Sequence, residues 1–419
     1  VFSLYGTALF GKIKNMKKFS TLFLILFAAV VAQAAQVVRG PYIEDPTQTT
    51  MILKWQTDAD TPSWLEYGPA PRCNQIMTVT PESTVHKAVL YGLVPNQDFC
   101  YRLYVNNTAG DGVQEPIEGS FRTLFSAERK VVNFLVLGQT GAPEPLPTEE
   151  NPEPVDEAAR ARELLANLMV KEKSDFLIHT GNITASGLNE DADREFFTPF
   201  KAVLAKNPLF VALGPNEYGP NRDSRDSKSF LRTNYTRFHD MSWSKATPKY
   251  YSFDTANVRF VFLDTNVAEG AVWAPEIGEK SAQTDWLKNT LASAGEKWKI
   301  VVMNAPAYST GARGSRNEVF AAWGKIFEDY RVDLVIQGGD ADYERTFPMY
   351  RGEPSARGVT YVTLGTAAPT PTKREHGDSS TARFVSARHF ASVKVVDRKL
   401  TLKAYNENEK LLDTLEIYL

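Results

Sequence analysis

Five short polar segments, each placed directly after an apolar run, are the parts of this sequence best suited to chemistry. They are Gly138–Gly141, Gly181–Ala185, Gly214–Glu217, Asn304–Ser309 and Gly338–Arg345. In open α/β folds, sites form on the loops beyond the carboxyl ends of the strands. We therefore expect the five segments to meet at one edge of a sheet and to line one pocket.

Carboxylates in two of these segments give a first hypothesis for the chemistry. The candidate polar site consists of Glu217, Asp340, Asp342, Tyr343, Glu344 and Arg345. Hard cations such as Ca²⁺ and Mg²⁺ take oxygen ligands, so these residues could form a metal site. The alternative is that Asp340 and Asp342 are solvated loop acids and that Glu344 pairs with Arg345.

Side-chain amides give a second hypothesis. Gln139, Asn182, Asn216 and Asn304 would make the pocket a neutral patch of hydrogen-bond donors and acceptors. Such a patch could bind a glycan or a protein segment, or the amides could bond to one another. We favour mutual bonding, because buried polar groups need partners. An acidic, proline-rich loop over 144–157 would repel phosphate if it covers the pocket, or it is a surface insertion.

The elements expected to position these residues fall into two groups. Short strands at Met51–Trp55, Ser63–Gly68, Phe99–Val105 and Gly119–Thr123, with a turn at Asp58–Pro62, predict a small β-sandwich. After residue 129, strands alternate with helices, which is typical of an α/β layered domain. The strands are predicted at 131–137, 176–179, 209–213, 258–264, 300–304 and 334–337. The helices are predicted at 156–172, 283–291 and 317–330, and a closing β-meander at 391–396, 400–405 and 411–418.

These patterns together resemble a known family. The segment "LYGLVPNQDFCYRLYV" and its neighbours resemble the fibronectin type III domain that precedes the catalytic domain of purple acid phosphatases. The five polar segments, with "YYSFDTANVRFVFLDTN", "QTDWLKNTL" and "DYER", resemble the calcineurin-like metallophosphoesterases, and purple acid phosphatases most closely. The resemblance implies a fibronectin III-like sandwich over 36–124 and a calcineurin-like α/β domain over 130–419.

The resemblance also implies where a di-metal Fe, Zn or Mn centre would bind, and this chain departs from the pattern there. The family's ligand and substrate-facing positions fall on Gln139, Asn182, Ala185, Pro215, Asn216, Asn304, Gly339 and Ala341. If the alignment with the family is shifted by one residue at Pro215, Asn216 takes the position of the family's ligand asparagine instead. Amides lack the negative charge that offsets multivalent cations, and glycine and alanine offer no donor.

We therefore predict a catalytically inactive pseudoenzyme that uses no cofactor and acts as a binding or assembly module. The alternative is a divergent metallophosphoesterase that hydrolyses phosphomonoesters with a rebuilt metal site. The histidines at 86, 179, 239, 376 and 389 avoid every family ligand position and are expected on the surface or in packing. His179 precedes the Asn182 segment and is expected to orient that loop rather than to bind metal.

Composition and the first residues indicate the compartment. The net charge of −3 over 419 residues gives no sign of a nucleic-acid partner. Lys17 and Lys18, an apolar run over 22–31 and Ala32-Gln33-Ala34 form a signal-peptide pattern, with Met16 as the expected start. Residues 1–34 would be removed, leaving a periplasmic or extracellular protein with no membrane segment. Cys73 and Cys100 could then form a disulfide or stay as thiols.

Overall fold

The computed structural model describes residues 35–105, 115–148, 151, 155–223, 249–377 and 379–419. The predicted signal segment over 1–34 and His239 lie outside the described residues. Residues from Ala35 onward cluster into one compact unit. Among the described residues, no helix has the length and apolarity needed to cross a membrane.

The described residues form twenty β-strands and four α-helices. Strands β1 to β20 are Val37–Glu44, Met51–Pro69, Gln75–Leu90, Asp98–Val105, Ile117–Arg122, Val131–Leu137, Phe176–His179, Leu209–Val211, Tyr251–Thr255, Val258–Phe262, Trp298–Met303, Leu334–Gln337, Tyr343–Thr346, Met349–Tyr350, Glu353–Pro354, Thr360–Leu364, Thr381–Val385, His389–Val396, Lys399–Asn406 and Leu411–Tyr418. Helices α1 to α4 are Glu157–Met169, Lys201–Leu204, Ala282–Ala292 and Asn317–Asp329.

Two large sheets carry the fold. The first has eleven strands in the order β20-β19-β18-β6-β7-β8-β1-β2-β4-β5, with β3 also paired to β2. The second has seven strands in the order β17-β13-β16-β12-β11-β10-β9. Strands β6, β7 and β8 are parallel, as are β10, β11, β12 and β16, so their carboxyl ends meet at common edges.

The main core contains buried residues from both sheets. Phe134 and Phe176 of the first sheet lie 5.1 and 5.3 Å, ring centre to ring centre, from Phe260 of the second. The outer face of the first sheet packs on α1 and α2 through residues such as Leu165 and Val203. The second sheet packs on α3 and α4 in the same way. The predicted layered α/β architecture with an N-terminal β-region is therefore confirmed.

The N-terminal region departs from its prediction at one point. The expected turn at Asp58–Pro62 is wrong, because β2 runs without a break from Met51 to Pro69. Its pairing with β3 shifts register between Gln56 and Thr61, so bulges absorb the polar stretch and Pro62. Cys73 and Cys100 form a disulfide here, with sulfur atoms 2.05 Å apart. The boundaries 36–124 and 130–419 stay predictions.

The link between the N-terminal strands and the α/β part is a shared sheet. Strand β1 pairs antiparallel with β2 and parallel with β8, where Glu44 faces Leu209. Tyr101 Oη also donates to Ala205 O across this junction, at 3.1 Å. The first three polar segments therefore follow strands β6, β7 and β8, each of which is hydrogen-bonded to a neighbouring strand on both sides.

Candidate functional site

The first two polar segments meet as expected, after β6 and β7. Gly141 N donates to Asn182 O at 3.1 Å, and the Asn182 amide lies 3.4 Å (Nδ2) from Gln139 Oε1. Gln139 Nε2 is bonded to Gly141 O at 3.2 Å. A Cβ at Gly141 would lie 2.2 Å from the Thr184 carbonyl carbon, so the close approach of these loops requires glycine.

The third segment, after β8, completes an amide network. Asn216 N donates to Asn182 Oδ1 at 3.1 Å, and Asn216 Nδ2 donates to Thr184 O at 2.9 Å. Asn182 itself has a φ of 59° and is buried. Its side chain therefore bonds to both neighbouring loops. Ala185 and Pro215 lie in the same loops, and Ala185 N donates to Glu195 Oε2 at 2.7 Å.

Glu217 lies beneath this network and is fully buried. Its Oε2 accepts from Asn182 N and Gly214 N, at 2.8 and 2.7 Å, and its Oε1 accepts from Ile183 N at 2.7 Å. Burial raises the pKa of the Glu217 carboxyl to about 7, although these amide bonds act to lower it. The Glu217 carboxylate thus joins the loop after β7 to the loop after β8.

The fourth segment contributes Asn304, which is buried at the end of β11. Asn304 Nδ2 donates to Thr180 O at 2.6 Å. Its Oδ1 has no hydrogen-bond partner among the described residues. Gly339, in the fifth segment, has a φ of 86°, and a Cβ there would lie 2.7 Å from Pro306 Cδ. Ala341 follows at the same sheet edge and its carbonyl accepts from Thr372 N.

The acids of the fifth segment are buried, which corrects one of the two expectations for them. Asp340 and Asp342 are not solvated loop acids. Asp340 accepts from Ser309 Oγ at 2.6 Å and Gly314 N at 3.0 Å. Burial, and next the neighbouring Asp340 and Glu344, raise the pKa of Asp342 to about 8. Asp342 Oδ1 has no partner among the described residues.

The expected pairing of Glu344 with Arg345 is also wrong. Glu344 accepts from Thr310 N and Thr310 Oγ1, both at 2.7 Å, whereas Arg345 Nε donates to Asp413 Oδ2 at 2.6 Å. Tyr343 Oη also donates to Asp413, at 2.8 Å. Adjacent strand residues point to opposite faces, so Arg345 and Glu344 reach different partners. The six residues proposed for a rebuilt site are bonded to three separate sets of partners.

Two further residues hold the site: His179, which was expected to orient the neighbouring loop, and Arg162, which the sequence analysis missed. His179 Nδ1 accepts from Gly181 N at 3.0 Å, so its Nε2 carries the proton and donates to Thr140 Oγ1 at 3.2 Å. Arg162 on α1 is buried and donates to Thr140 O and Ala142 O. Burial lowers the pKa of His179 to about 3, which keeps it neutral. The helical pattern alone gives no sign that Arg162 points inward.

A cavity of about 460 Å³ opens at these loops. Gln139, Ala185 and Asn216 line it together with Glu144, Pro145 and Arg388. Part of the acidic loop therefore does border the pocket. Glu144 lies 3.1 Å from the Arg194 guanidinium, which offsets its charge.

The comparison with known families identifies this arrangement. Residues 133–343 match the model of the calcineurin-like phosphoesterase family, a stretch that holds the first four polar segments and the fifth as far as Tyr343. The chain belongs to this family. The predicted resemblance is thereby confirmed.

Relatives of this phosphoesterase-family chain include purple acid phosphatases. Purple acid phosphatase 21 of Arabidopsis thaliana is 25% identical over 326 residues, covering 74% of this chain and 66% of the relative. The relative named "Probable inactive purple acid phosphatase 27", also from Arabidopsis thaliana, is 25% identical and is covered over 45% of its length. The chain thus spans less than two thirds of these relatives. The purple acid phosphatase PPD1 from yellow lupin (Lupinus luteus) seeds shares the fold over 91% of this chain and 74% of that chain, with a TM-score of 0.73 at 16% identity.

The prediction that no cofactor is used is contradicted by this membership. The family consists of dinuclear metal-dependent phosphatases, so a cofactor-free protein does not follow from the changed ligand positions. The donors at those positions nevertheless do not fit the family's metal pair. Asn182 and Asn304 are neutral and bonded to protein atoms, and Gly339 lacks room for a side chain. Within the described ranges, no group of three or more His, Cys, Asp or Glu side chains is arranged to hold a metal ion.

Proposed function

We propose that this phosphoesterase-family protein is a catalytically inactive binding or assembly module. The observation that carries the proposal is the amide network of Gln139, Asn182 and Asn216. The resemblance assigns these side chains to positions from which the family acts on a phosphoester, and they bond to one another or to loop backbone groups. Groups bonded in this way hold the loops in place and have fewer donors and acceptors left for a substrate.

The electrostatics support the same proposal. Glu217 is fully buried and both of its oxygens accept backbone N–H groups, so it has no approach to a ligand. Among the described residues that line the pocket, Glu144, Asp156 and Glu157 are acidic and Arg388 is cationic, and Glu144 is paired with Arg194. Such a rim does not favour a phosphate dianion. A relative named as inactive also lies among the purple acid phosphatases this chain resembles.

The ligand we propose for the 460 Å³ cavity is a neutral polar one, a glycan or a protein segment. Gln139, Asn216 and Arg388 offer polar groups, and Ala142, Pro145 and other small apolar residues offer flat contact area. Binding to an array of soluble oligosaccharides, compared between the wild type and Asn216→Ala, tests this choice. A loss of binding of about tenfold in the variant is expected if the cavity is the site.

The second candidate function is hydrolysis of phosphomonoesters. It is favoured by the family match over 133–343. It is also favoured by two buried oxygens without partners among the described residues, Asn304 Oδ1 and Asp342 Oδ1. A protein of this kind would be a phosphoric ester hydrolase with an altered site.

Hydrolysis of p-nitrophenyl phosphate decides between the two candidates. The purified protein is assayed across about pH 4–9 with Fe, Zn, Mn or Mg added, and the rate is compared with that of buffer alone. We expect no turnover above buffer, and metal-dependent turnover would establish the second candidate. A variant with Gln139→Asp, Asn182→Asp, Asn304→His and Ala341→His tests the observation that carries the proposal, since it returns four family residues while leaving the crowded Gly339 unchanged.

We further propose that the protein is exported. The support is the basic, apolar and small-residue order of the segment that ends at Ala34. N-terminal sequencing of the protein recovered from a secreting host is expected to start at Ala35. Recovery of the full segment in a membrane fraction would contradict export with cleavage.

A further inference from the structure

A second large depression lies away from the candidate pocket, with a volume of about 780 Å³. It is lined by Asp333 and Gly358, which precede β12 and β16, and by Leu415–Tyr418 of β20. Since the candidate pocket follows the carboxyl ends of the parallel strands, this groove lies at their opposite ends. It is bordered by the end of one sheet and by strands of the other.

Strand β20 is an edge strand, and its register shows which backbone groups face outward. Among the described strands it pairs only with β19, and Leu419 N donates to Arg398 O at 3.0 Å. In an antiparallel pair, hydrogen-bonded and non-hydrogen-bonded residue pairs alternate. Since Leu419 is bonded to Arg398, the pair two residues further along, Leu400 with Ile417, is also a hydrogen-bonded pair. Glu416 and Tyr418 lie in the non-hydrogen-bonded pairs, so their N–H and C=O groups point away from β19.

The outward groups nearer the start of β20 already have partners. Leu412 O accepts from Arg383 Nη2 at 3.0 Å, which agrees with the register. The Thr414 backbone is bonded to the Asp413 carboxylate. Within the described residues, Glu416 and Tyr418 show no such backbone bonds. The open edge therefore coincides with the part of β20 that lines the groove.

The charges of the groove are unevenly compensated. Asp329 pairs with Lys325 and Glu416 pairs with Lys399, at 2.6 and 2.7 Å. Arg345 pairs with Asp413 at 2.6 Å. The remaining carboxylates, Glu328 and Asp333, are half-buried and accept backbone N–H groups of Arg351 and Lys299.

Two exposed arginines in the groove differ from these paired groups. The guanidinium groups of Arg331 and Arg357 form no ion pair or hydrogen bond within the described residues, and both lie on the groove wall. Tyr350 and Tyr418 are exposed beside them. Arg331 and Arg357 are therefore exposed cations without an ion pair among the described residues, next to an open strand edge and two aromatic rings, whereas Glu328 and Asp333 are half-buried.

We propose that this groove binds an extended, acidic segment of a partner protein, which adds to β20 as a further strand. The partner's backbone bonds to the outward N–H and C=O groups of Glu416 and Tyr418, as in other cases of strand addition. Its carboxylates meet Arg331 and Arg357. This interaction goes beyond the proposed function and does not depend on whether the other pocket is catalytic.

The test uses a fluorescein-labelled octapeptide of alternating glutamate and valine, with fluorescence anisotropy as the measurement. The wild type is expected to bind it and to lose affinity as salt increases. A peptide with lysine in place of glutamate is expected to bind at least tenfold more weakly. Equal binding of the two peptides, or no binding of the glutamate peptide, would overturn the proposal.

Backbone pairing is tested by a matched pair of variants. Glu416→Pro removes an outward N–H without removing a bond to β19, whereas Glu416→Ala removes the same side chain and keeps that N–H. We expect at least a tenfold weaker affinity for Glu416→Pro and less than a threefold change for Glu416→Ala. Equal affinities in two variants with wild-type circular dichroism would show that no strand is added.

The charge contribution is tested by Arg331→Ala combined with Arg357→Ala. At least a tenfold loss of affinity and a shallower salt dependence are expected. The control is Arg160→Ala, an exposed arginine on α1 that does not line the groove, and it should leave binding unchanged. A loss as large in the control as in the double variant would mean that the peptide responds to net charge alone, and the proposed site would be wrong.

Discussion

Two sets of loops at the carboxyl ends of the strands both bury carboxylates, but in different surroundings. The loops after β7 and β8 bury the Glu217 carboxylate, which accepts three N–H groups from the backbone of Asn182, Ile183 and Gly214. The loops after β11 and β12 bury three acids within five residues, at 340, 342 and 344. Asp340 and Glu344 accept several bonds each, whereas Asp342 accepts one, from Thr372 Oγ1 at 3.3 Å.

The difference shows what a buried carboxylate does without a neighbouring cation. Where backbone N–H groups surround it, as at Glu217, Asp340 and Glu344, it joins loops together. Where they are missing, as at Asp342, burial and like charges raise its pKa and favour the protonated form. The first role adds stability, and the second reduces it as the pH rises.

The largest effect is expected from Glu217→Ala. Removing the carboxylate leaves three buried N–H groups without an acceptor, so the free energy of unfolding should fall by about 4 kcal/mol. Urea denaturation followed by circular dichroism measures the change. Glu217→Gln is the control, since it keeps one acceptor oxygen and should lose less. A loss below about 1 kcal/mol for the alanine variant would contradict the role of Glu217 in joining the two loops.

A smaller loss is expected from Asp340→Asn. The amide nitrogen of asparagine would face either Arg313 N or Gly314 N, which now donate to the two Asp340 oxygens. We expect the free energy of unfolding to fall by about 2 kcal/mol at pH 7. If the stability is unchanged, Asp340 does not join the loops, and its role does not differ from that of Asp342.

The Asp342→Asn substitution is expected to raise the free energy of unfolding rather than lower it. The folded pKa of about 8 lies above the ordinary value of 3.8, so the wild type loses stability progressively as the pH rises from about 4 to about 8 and is unaffected below about 4. The variant should therefore match the wild type at pH 4 and be about 2 kcal/mol more stable at pH 9. Thermal unfolding across this range measures it, and a variant less stable at pH 9 would refute the assignment.

The smallest effect is expected from Gln139→Ala. Gln139 is half-exposed and makes two bonds of 3.2 and 3.4 Å, so the free energy of unfolding should fall by about 0.5–1 kcal/mol. Chemical denaturation of this variant and of Glu217→Ala compares the two losses in the free energy of unfolding, one from an amide contact at the pocket rim and one from a buried carboxylate. A loss as large as that of Glu217→Ala would show that the amide network itself carries the loops.

Much of the fold could be predicted from the sequence. The predicted bounds of β6, β7, β12 and β20 agree with the structure, because each is a short apolar or alternating run between clear breaks. Helix α1 begins after Asp156, whose side chain accepts from Ala159 N at 2.9 Å. The continuous β2 could not be predicted, since its polar middle is accommodated by bulges against β3.

Less of the site could be predicted. The first three segments follow strands of the first sheet and the last two follow strands of the second, so the expected single sheet edge is wrong, although Asn304 Nδ2 bonds to Thr180 O between the two groups. The Gln139 and Asn182 side chains bond to each other, as favoured, whereas those of Asn216 and Asn304 bond to loop carbonyls. His179 bonds to the backbone of the loop that it was expected to orient, whereas the buried Arg162 was missed, because an arginine in a helix carries no local sign of its partners. Arg345 was assigned to its neighbour, although its partner Asp413 is 68 residues away.

The sequence by itself determined most of the elements, their order and the family, since these depend on local periodicity and residue type. The tertiary structure decided which acids are buried and which edge of β20 stays open. Burial and partner choice depend on distant parts of the chain. Burial raises the pKa of both carboxyl groups, but Glu217 accepts three backbone N–H groups, whereas Asp342 accepts from Thr372 Oγ1 and has Asp340 and Glu344 beside it.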